Sequence, residues 1–261
     1  MYDQISSYVG FYHAAVRPAD AKLTLPCHGQ HASIRPMPST TGFIQAHAIS
    51  PAGKPALRLR VEPGSRPSPG QPFLAYLNES TAPIRTALYP SRLHRDGFTT
   101  IDIPSPAWTI GAQVQLMGPI GRGFSPPTKS KRRLVIALGQ PIDRLIPLID
   151  AAVKSDISIA AFTGGQFPNL PAQVEIATDP ADVKGWADYI AVDTHALRIA
   201  EVADFIAPQP GIPPAADVEM LLDAALACGF GVCAACAVNT GSGWRLACQD
   251  GPVFNMRGWS W

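Results

Sequence analysis

The sequence contains no long apolar run and carries almost no net charge, and each absence excludes a class of protein. Its apolar stretches are of strand length or are interrupted by charged residues, whereas a membrane-spanning helix needs about 20 apolar residues in succession. The formal net charge of +1 provides no excess of basic side chains for contacting a nucleic-acid backbone. We therefore expect neither a membrane span nor a nucleic-acid partner.

The amino-terminal residues lack the features of an export signal. Residues 1–7 include neither the basic stretch nor the apolar core of a secretory signal peptide, which predicts a cytoplasmic protein. Cysteines are scarce, with five in 261 residues, and a cytoplasmic location would keep their thiols reduced. Disulfides are therefore not the first interpretation of these cysteines, although the sequence alone leaves them open.

Apolar residues and prolines are the classes that the chain has in quantity. The apolar fraction of 46% is enough to bury a substantial core in one large domain or in two to three small ones. The 27 prolines favour many short strands and turns over long helices. The composition thus predicts a globular protein built mainly from short elements.

Four of the five cysteines fall within one segment near the carboxyl terminus. They are Cys228, Cys233, Cys236 and Cys248. The spacing C-x4-C-x2-C, with a fourth cysteine further along, is the plant-type arrangement of ligands for a [2Fe-2S] cluster. Gly229 and Gly231 fit this interpretation, because a loop that turns its amides toward sulfur needs residues that tolerate a positive φ. The segment predicts an iron-sulfur electron carrier with these four cysteines as metal ligands.

Two other metal interpretations stay open. A structural zinc site would also use four thiolates, but its usual signature is two short C-x2-4-C pairs, and only the 228–236 half of the segment has that form, since Cys248 stands apart. Cys27, His28 and His31 lie close together in sequence, but they lack a fourth ligand nearby. A buried thiol with surface histidines is the simpler interpretation of that group.

Residues 42–128 have the pattern of short β-strands. Apolar and polar residues alternate over 43–49 and 57–61 around a turn at 51–54, which predicts a hairpin. Further strand patterns occur at 74–77, 99–103 and 114–117. Several short strands separated by turn signals predict an antiparallel barrel of six strands.

Beyond this barrel, apolar runs alternate with helical patterns. The runs lie at 134–138, 157–162, 174–177 and 189–192. Helices are predicted over 142–153 and over 194–202, with Thr194 as N-cap. The alternation predicts a small doubly wound parallel α/β domain. A proline-rich linker at 208–214 then leads into 217–226, whose apolar spacing predicts a short helix that presents the cysteine loop.

The cysteine segment resembles a known family. Residues 227–238, together with Cys-Gln-Asp-Gly-Pro-Val-Phe at 248–254, resemble the cluster domain of the electron-transfer subunit of class 1B dihydroorotate dehydrogenase. Gly-Pro-Ile-Gly-Arg-Gly-Phe at 118–124 resembles the flavin barrels of the same family. The resemblance implies the domains that follow. They are an extension at 1–39, a flavin-type β-barrel domain at 40–128, a nucleotide-binding-like α/β domain at 129–212 and a [2Fe-2S] cluster domain at 213–261.

The flavin motif of that family is only partly present. Members carry an arginine that neutralises the flavin pyrophosphate, close to an aromatic residue and a hydroxyl that hold the flavin ring. The corresponding residues here are Arg85, Tyr89 and Ser91, at an altered spacing, with Gly121 and Gly123 in the second stretch. The resemblance implies these five as residues for FAD, and the altered spacing leaves FAD binding open.

The nicotinamide motifs are replaced. The resemblance implies a glycine-rich turn after the first parallel strand, where backbone amides approach a pyrophosphate. Here Gln140 and Asp143 occupy that turn, so a carboxylate stands where phosphate is expected. The second hallmark, Cys-Gly-Pro after the fourth strand, is replaced by Val-Asp-Thr-His at 192–195, and the pair Gly164 and Gly165 is a weak signal. NAD(P)H binding is therefore not expected.

The resemblance implies an electron-transfer subunit of an oxidoreductase rather than a self-sufficient catalyst. A cluster accepts one electron at a time, whereas pyridine nucleotides and dihydroorotate give two, so a flavin must stand between them. We expect a hetero-oligomer with a flavoprotein dehydrogenase subunit, in which this chain relays electrons between that flavoenzyme and another carrier. The alternatives are an NAD(P)H-oxidising FAD/[2Fe-2S] reductase and a docking or scaffold subunit of a larger redox complex.

Overall fold

The computed structural model describes residues 38–62, 66–78, 85–164, 169–206, 217–240, 243–257 and 259. All of these belong to one unit, Pro36–Trp261. The predicted linker at 208–214 and the group Cys27, His28 and His31 lie outside the described residues, as do Gly165 and nearly all of the predicted extension. None of the helices in the described ranges has the length and apolar content that a bilayer crossing requires.

Seven strands form an antiparallel sheet, which we call the N-terminal sheet. They are β1 (Ser39–Ile49), β2 (Pro55–Val61), β3 (Phe73–Leu77), β4 (Thr86–Leu88), β5 (Pro90–His94), β6 (Gly97–Thr100) and β7 (Gln113–Met117). Their order is β4-β3-β7-β1-β2-β6-β5, so the two edge strands follow each other in the chain and the sheet curls. The predicted β1–β2 hairpin is confirmed, since Leu57 and Leu59 point into the core while Arg58 and Arg60 alternate with them.

The sheet has seven strands where the sequence predicts a barrel of six. Strands β4 and β5, which Tyr89 separates, are not among the strand patterns identified in the sequence, and the strand predicted at 99–103 is found at Gly97–Thr100. The register between β5 and β6 also shifts between Pro90 and Arg92. This irregularity is consistent with proline at the edge of a sheet, where its missing N–H breaks no ladder hydrogen bond.

A second sheet of six strands follows. Its strands begin with β8 (Arg132–Leu138), β9 (Ser158–Phe162), β10 (Val174–Ile176), β11 (Tyr189–His195) and β12 (Asp217–Asp223). A hairpin of β13 (Ala237–Asn239) and β14 (Trp244–Leu246) comes next, and β15 (Val253–Asn255) adds to the sheet antiparallel to β12. The order is β10-β9-β8-β11-β12-β15, and all pairings except β12–β15 are parallel. The four apolar runs of the sequence are β8 to β11, as predicted.

Three α-helices accompany the second sheet: α1 (Ile146–Lys154), α2 (Pro180–Lys184) and α3 (Ile199–Ile206). Helix α1 follows a 3-10 turn at Ile142–Leu145, so the helix predicted over 142–153 is confirmed. The helix predicted from Thr194 begins later, because Thr194 is fully buried in β11 and cannot act as an N-cap. A 3-10 turn at Ala196–Arg198 precedes α3.

The helix predicted over 217–226 is wrong. Residues Asp217–Asp223 form the parallel strand β12, paired with β11 from Tyr189↔Asp217 to His195↔Asp223. Every residue from 218 to 222 is buried. A continuous apolar run of this length suits a strand covered on both faces, and short apolar runs do not distinguish a buried strand from a helix segment.

Candidate iron-sulfur centre

The four cysteines come from one loop and one hairpin. Cys228 and Cys233 lie in the loop after β12, and Cys236 lies directly before β13. The pairing of Ala237 with Leu246 in the β13–β14 hairpin brings Cys248 back to Cys236. The backbone N–H of Ala247 donates to the carbonyl of Cys236 at 3.0 Å, which fixes this return.

The thiols meet in two pairs, and none of the four forms a disulfide. Cys233 is close enough to Cys228 to influence its pKa, and Cys236 is close enough to Cys248 to do the same. Cys228 and Cys248 are also near enough for their charges to interact. Within the described ranges no three His, Cys, Asp or Glu side chains are placed to share a single metal ion. Two pairs suit two irons with two thiolates each, whereas a structural zinc needs four ligands around one ion.

Backbone amides of the loop point at the sulfur atoms. Burial is the largest influence on Cys228 and raises its pKa, but N–H groups of Cys233, Phe230 and Val232 outweigh it and hold that pKa at about 6. Burial raises the pKa of Cys248 to about 12, with a further rise from Cys236, although the N–H of Gly231 opposes it. Amides aimed at sulfur are the surroundings in which bound thiolates and sulfides accept hydrogen bonds. The donor set therefore fits an iron-sulfur cluster.

The cysteine loop depends on two glycines in the left-handed backbone conformation. Gly229 and Gly231 have φ values of +84° and +80°, as the sequence predicts for them. A Cβ on Gly229 would lie 3.1 to 3.2 Å from side-chain atoms of Leu74, Ile120 and Met117. The loop therefore packs directly against the N-terminal sheet and the residues that follow β7.

The cysteine site has a buried side and an exposed side. Cys236 and Cys248 are 3% and 1% exposed and belong to the apolar core that also contains Leu74 and Ile120. Cys233 is exposed, and its neighbour Val232 is 65% exposed. The Cys233 side is therefore the solvent-accessible side of the centre.

The two stretches that resemble the dihydroorotate dehydrogenase family contact each other. The N–H of Arg122 donates to the carbonyl of Gly251, and the N–H of Val253 donates to the carbonyl of Arg122 at 3.3 Å. A Cβ on Gly121 would lie 1.9 Å from the oxygen of Gly251, so this position requires glycine. The stretch at 118–124 thus supports the loop segment that carries Cys248.

In the part of the chain that the structure describes, the five residues predicted for FAD do not line one common cavity. The hydroxyl of Ser91 is fully buried and donates to the carbonyls of Thr99 at 3.2 Å and Thr100 at 2.7 Å, inside the N-terminal sheet. A Cβ on Gly123 would lie 2.5 Å from the carbonyl of Pro69, and Gly121 contacts Gly251 as described. Arg85 is half-buried just before β4. These four residues have local partners or positions that do not define a flavin pocket.

A cavity of about 380 Å³ lies beside β4 and contains one of the five residues, Tyr89. Its lining residues are 86–89 and 100–104. The ionisable side chain among them besides Tyr89 is Asp102, and no lysine or arginine lines the cavity. None of these described lining residues is a cation that could pair with a flavin pyrophosphate. The assignment of Arg85, Tyr89, Ser91, Gly121 and Gly123 to FAD stays a prediction.

The turn after β8 is filled by side chains. Gly139 has a φ of +70°, and a Cβ there would lie 2.5 Å from a guanidinium nitrogen of Arg198, which covers the turn. The carboxylate of Asp143 is buried, and its Oδ1 accepts a hydrogen bond from the N–H of Ala52 at 3.0 Å. Burial raises the pKa of Asp143. The carboxylate thus binds the β1–β2 turn, and the residues of this site do not fit a dinucleotide pyrophosphate.

Tryptophans near the cysteines have two different environments. Trp259 packs edge to face on Phe254 with 5.4 Å between ring centroids, which agrees with a packing role. Trp244, the first residue of β14, is 66% exposed. Trp261 lies outside the described residues.

Comparison with known proteins identifies the carboxyl-terminal segment. Residues 223–258 match the sequence profile of the iron-sulfur cluster binding domain of dihydroorotate dehydrogenase B. The chain is 28% identical to the electron transfer subunit of dihydroorotate dehydrogenase B (NAD(+)) from Desulforamulus reducens, over 55% of this chain and 64% of that protein. A probable counterpart from Methanopyrus kandleri is 24% identical, over 76% of this chain and 83% of that protein.

The aligned part of this chain spans slightly less than two thirds of the relatives from Desulforamulus reducens and Clostridium perfringens, at 64% and 65% of their lengths. Among solved structures, one reported for flavin-based electron bifurcation by NADH-dependent reduced ferredoxin-NADP oxidoreductase superposes with a TM-score of 0.62 at 16% identity. The superposition covers 84% of this chain and 90% of the chain in that structure. The ferredoxin reductase of carbazole 1,9a-dioxygenase superposes with a TM-score of 0.51 at 14% identity, covering 66% of this chain and 65% of that one.

These comparisons confirm the resemblance on which the sequence analysis depends. The chain has a ferredoxin-reductase-like fold with a carboxyl-terminal iron-sulfur domain. The four cysteines lie within the matched segment, and the structure brings them together as two contacting pairs.

Proposed function

We propose that this chain is the iron-sulfur electron-transfer subunit of a dihydroorotate dehydrogenase-like enzyme, relaying electrons between a partner flavoenzyme and another carrier. The observation that supports it best is the pair-wise contact of Cys228 with Cys233 and of Cys236 with Cys248, under backbone amides that point at sulfur. In this proposal residues 40–128 are a flavin-type barrel domain, 129–212 a nucleotide-binding-like domain and 213–261 the cluster domain.

A bound [2Fe-2S] cluster would supply single-electron transfer. The chain's own residues hold the cluster and control access to it. Leu74, Ile120 and Met117 exclude water behind the loop, since they are in contact distance of Gly229. The two-electron chemistry requires a flavin, and we assign that flavin to the partner subunit.

The partner would approach the exposed side of the centre. Residues 232–235 are all exposed, and Phe230 beside them is half-buried. This rim, defined as residues 230–235, contains no Asp, Glu, Lys, Arg or His. An uncharged rim allows close approach without the cost of burying unpaired charge. We propose that a flavoprotein dehydrogenase contacts this rim in a hetero-oligomer.

Metal and sulfide analysis of the anaerobically purified chain tests the proposal. We expect a brown protein with about two irons and two labile sulfides per chain, and a rhombic S = 1/2 signal after reduction. One zinc per chain without labile sulfide would overturn the electron-transfer function. Partner identity is tested separately, by whether a flavoprotein dehydrogenase co-purifies with the brown protein.

A further inference from the structure

The carboxyl edge of the parallel sheet is the place where open α/β folds bind ligands, at the point where strand order reverses. In this chain that point lies between β8 and β11, because β9 and β10 extend the sheet on one side and β12 on the other. Side chains of the chain itself converge there. They are Gln140, Arg144, Asp193 and Asp223, which we call the crevice network.

Arg144 is the centre of the crevice network. Its guanidinium is bidentate to Asp193, with Nε to Oδ2 at 2.8 Å and Nη2 to Oδ1 at 2.5 Å. Its Nη1 binds Oδ1 of Asp223 at 3.0 Å. Arg144 is 3% exposed and Asp193 is fully buried, so water does not separate them. Gln140 completes the network through a 3.4 Å hydrogen bond from its amide to Asp223.

The network reaches across to the N-terminal sheet. Tyr89, which lies between β4 and β5, is buried with its ring over the Arg144 guanidinium, 4.9 Å from it. Burial raises the pKa of Tyr89, so its phenol stays neutral and its ring can face the cation. Asp143, one residue before Arg144, makes the second connection through its hydrogen bond from Ala52. Consecutive residues of one turn therefore contact the N-terminal sheet at two separate places, Arg144 at Tyr89 and Asp143 at Ala52 of the β1–β2 turn.

The charges of the crevice network disfavour the binding of a pyrophosphate. It contains one guanidinium and two carboxylates, and the guanidinium already uses three of its donors inside the protein. A dinucleotide would have to break a buried bidentate ion pair and then sit beside the released carboxylates. Each of the three guanidinium nitrogens of Arg144 thus has a carboxylate partner within the protein.

We propose that the crevice network permanently closes the ligand crevice of the parallel sheet. In addition, it holds the N-terminal sheet and the second sheet together. No dinucleotide then binds at this edge, and Arg144 acts as the fixed cation beneath Tyr89. This inference concerns the crevice alone and does not depend on whether the cysteines bind a cluster.

Hydrogen exchange with added dinucleotide tests the closure. The full chain is incubated with 2 mM NADH or, separately, 2 mM FAD, and exchange is followed in peptides that cover residues 138–146 and 189–206. We expect no change in either set of peptides. Protection of these peptides by NADH or FAD would overturn the proposal, whereas protection confined to other peptides would leave the closed crevice as described.

Replacing Arg144 tests the joining role. Arg144→Met leaves Asp193 buried without its partner, and we expect the unfolding equilibrium constant to rise by roughly 100-fold or more. Exchange should become faster in β4 to β6 of the N-terminal sheet as well as in β11. The double variant Arg144→Met, Asp193→Leu removes both buried charges and should recover most of the lost stability.

Arg257→Met is the matched control, because Arg257 is exposed and its ion pair with Asp217 lies at the start of β12, at the opposite edge of the sheet from the crevice network. We expect this variant to change the unfolding constant by less than about five-fold. If Arg144→Met accelerated exchange only in the second sheet, with β4 to β6 unchanged, the joining role would be wrong. The same conclusion would follow if Arg144→Met and Arg257→Met had equal effects on stability.

Discussion

The loop after β12 and the turn after β8 belong to the same sheet but differ in the groups that they offer to a ligand. The loop after β12 carries three of the four cysteines, two glycines with positive φ and amides that face sulfur. The turn after β8 has no glycine-rich run, and Asp143 and Arg144 there bind other parts of the protein. Both segments are well packed. The comparison teaches that a well-packed loop is not by itself a ligand site, since a site needs free amides and charge in addition to a scaffold.

The largest expected effect is at the retained site. Cys233→Ser removes one ligand of the exposed thiol pair, and we expect the visible absorbance and the bound iron to be lost, since a hydroxyl replaces a thiolate poorly. Cys27→Ser is the control and should leave both unchanged, because Cys27 is outside the matched segment. Iron retention in Cys233→Ser equal to that of the unmodified chain would remove the difference between the two loops.

The support of the cluster loop can be tested at Gly121. Gly121→Ala combines a φ of +62° with a Cβ 1.9 Å from the Gly251 carbonyl, and we expect a loss of roughly 3 kcal/mol or more in the free energy of unfolding. Gly53→Ala is matched, with a φ of +79° and nothing within 4 Å of the added Cβ. It should lose only about 1 kcal/mol. Urea denaturation measures both, and equal losses would show that the contact with Gly251 is unimportant.

The cysteine site could be predicted from sequence because its signal is local. The spacing of Cys228, Cys233 and Cys236 falls within nine residues, and apolar runs likewise identify β8 to β11. The crevice network could not be predicted, because Asp193 and Asp223 lie 49 and 79 residues from Arg144 along the chain. The three residues meet only through the order of the strands in the sheet. The strand β12 was missed for a related reason, since its partner β11 decides its conformation.

The exposed rim can be tested by adding a charge. Phe230→Glu should weaken binding of a dihydroorotate dehydrogenase-type flavoprotein by about 2 kcal/mol, or roughly 30-fold in Kd, because the carboxylate would be buried unpaired at the interface. Ile110→Glu is the control, since Ile110 is also an apolar residue, 58% exposed, but lies before β7 in the N-terminal sheet. Calorimetric titration measures both. The cluster spectrum should be unchanged in both variants, and unaltered binding by Phe230→Glu would exclude the rim as the interface.

The smallest expected effect is the pH dependence of stability that comes from two carboxylates at opposite edges of the parallel sheet. At the carboxyl edge, burial raises the pKa of Asp193 to about 6, although Arg144 opposes this. At the amino edge, burial also acts to raise the pKa of Asp188, but hydrogen bonds from Lys131, Ser130 and Arg132 outweigh it and lower that pKa. The two groups should therefore contribute to stability with opposite dependence on pH.

For Asp188 the folded pKa lies below the unfolded value of about 3.9, so the ionised form is bound more favourably in the folded state. Its contribution is present above that unfolded pKa and is lost as pH falls through the folded pKa. Asp188→Asn should therefore be less stable than the unmodified chain at pH 7, and the gap should narrow when urea midpoints are compared at pH 3. Asp193 has the opposite sign: its raised pKa makes its contribution decline as pH rises from about 4 to 6. A gap for Asp188→Asn that widened at pH 3 would show that the hydrogen bonds at the amino edge do not favour the carboxylate.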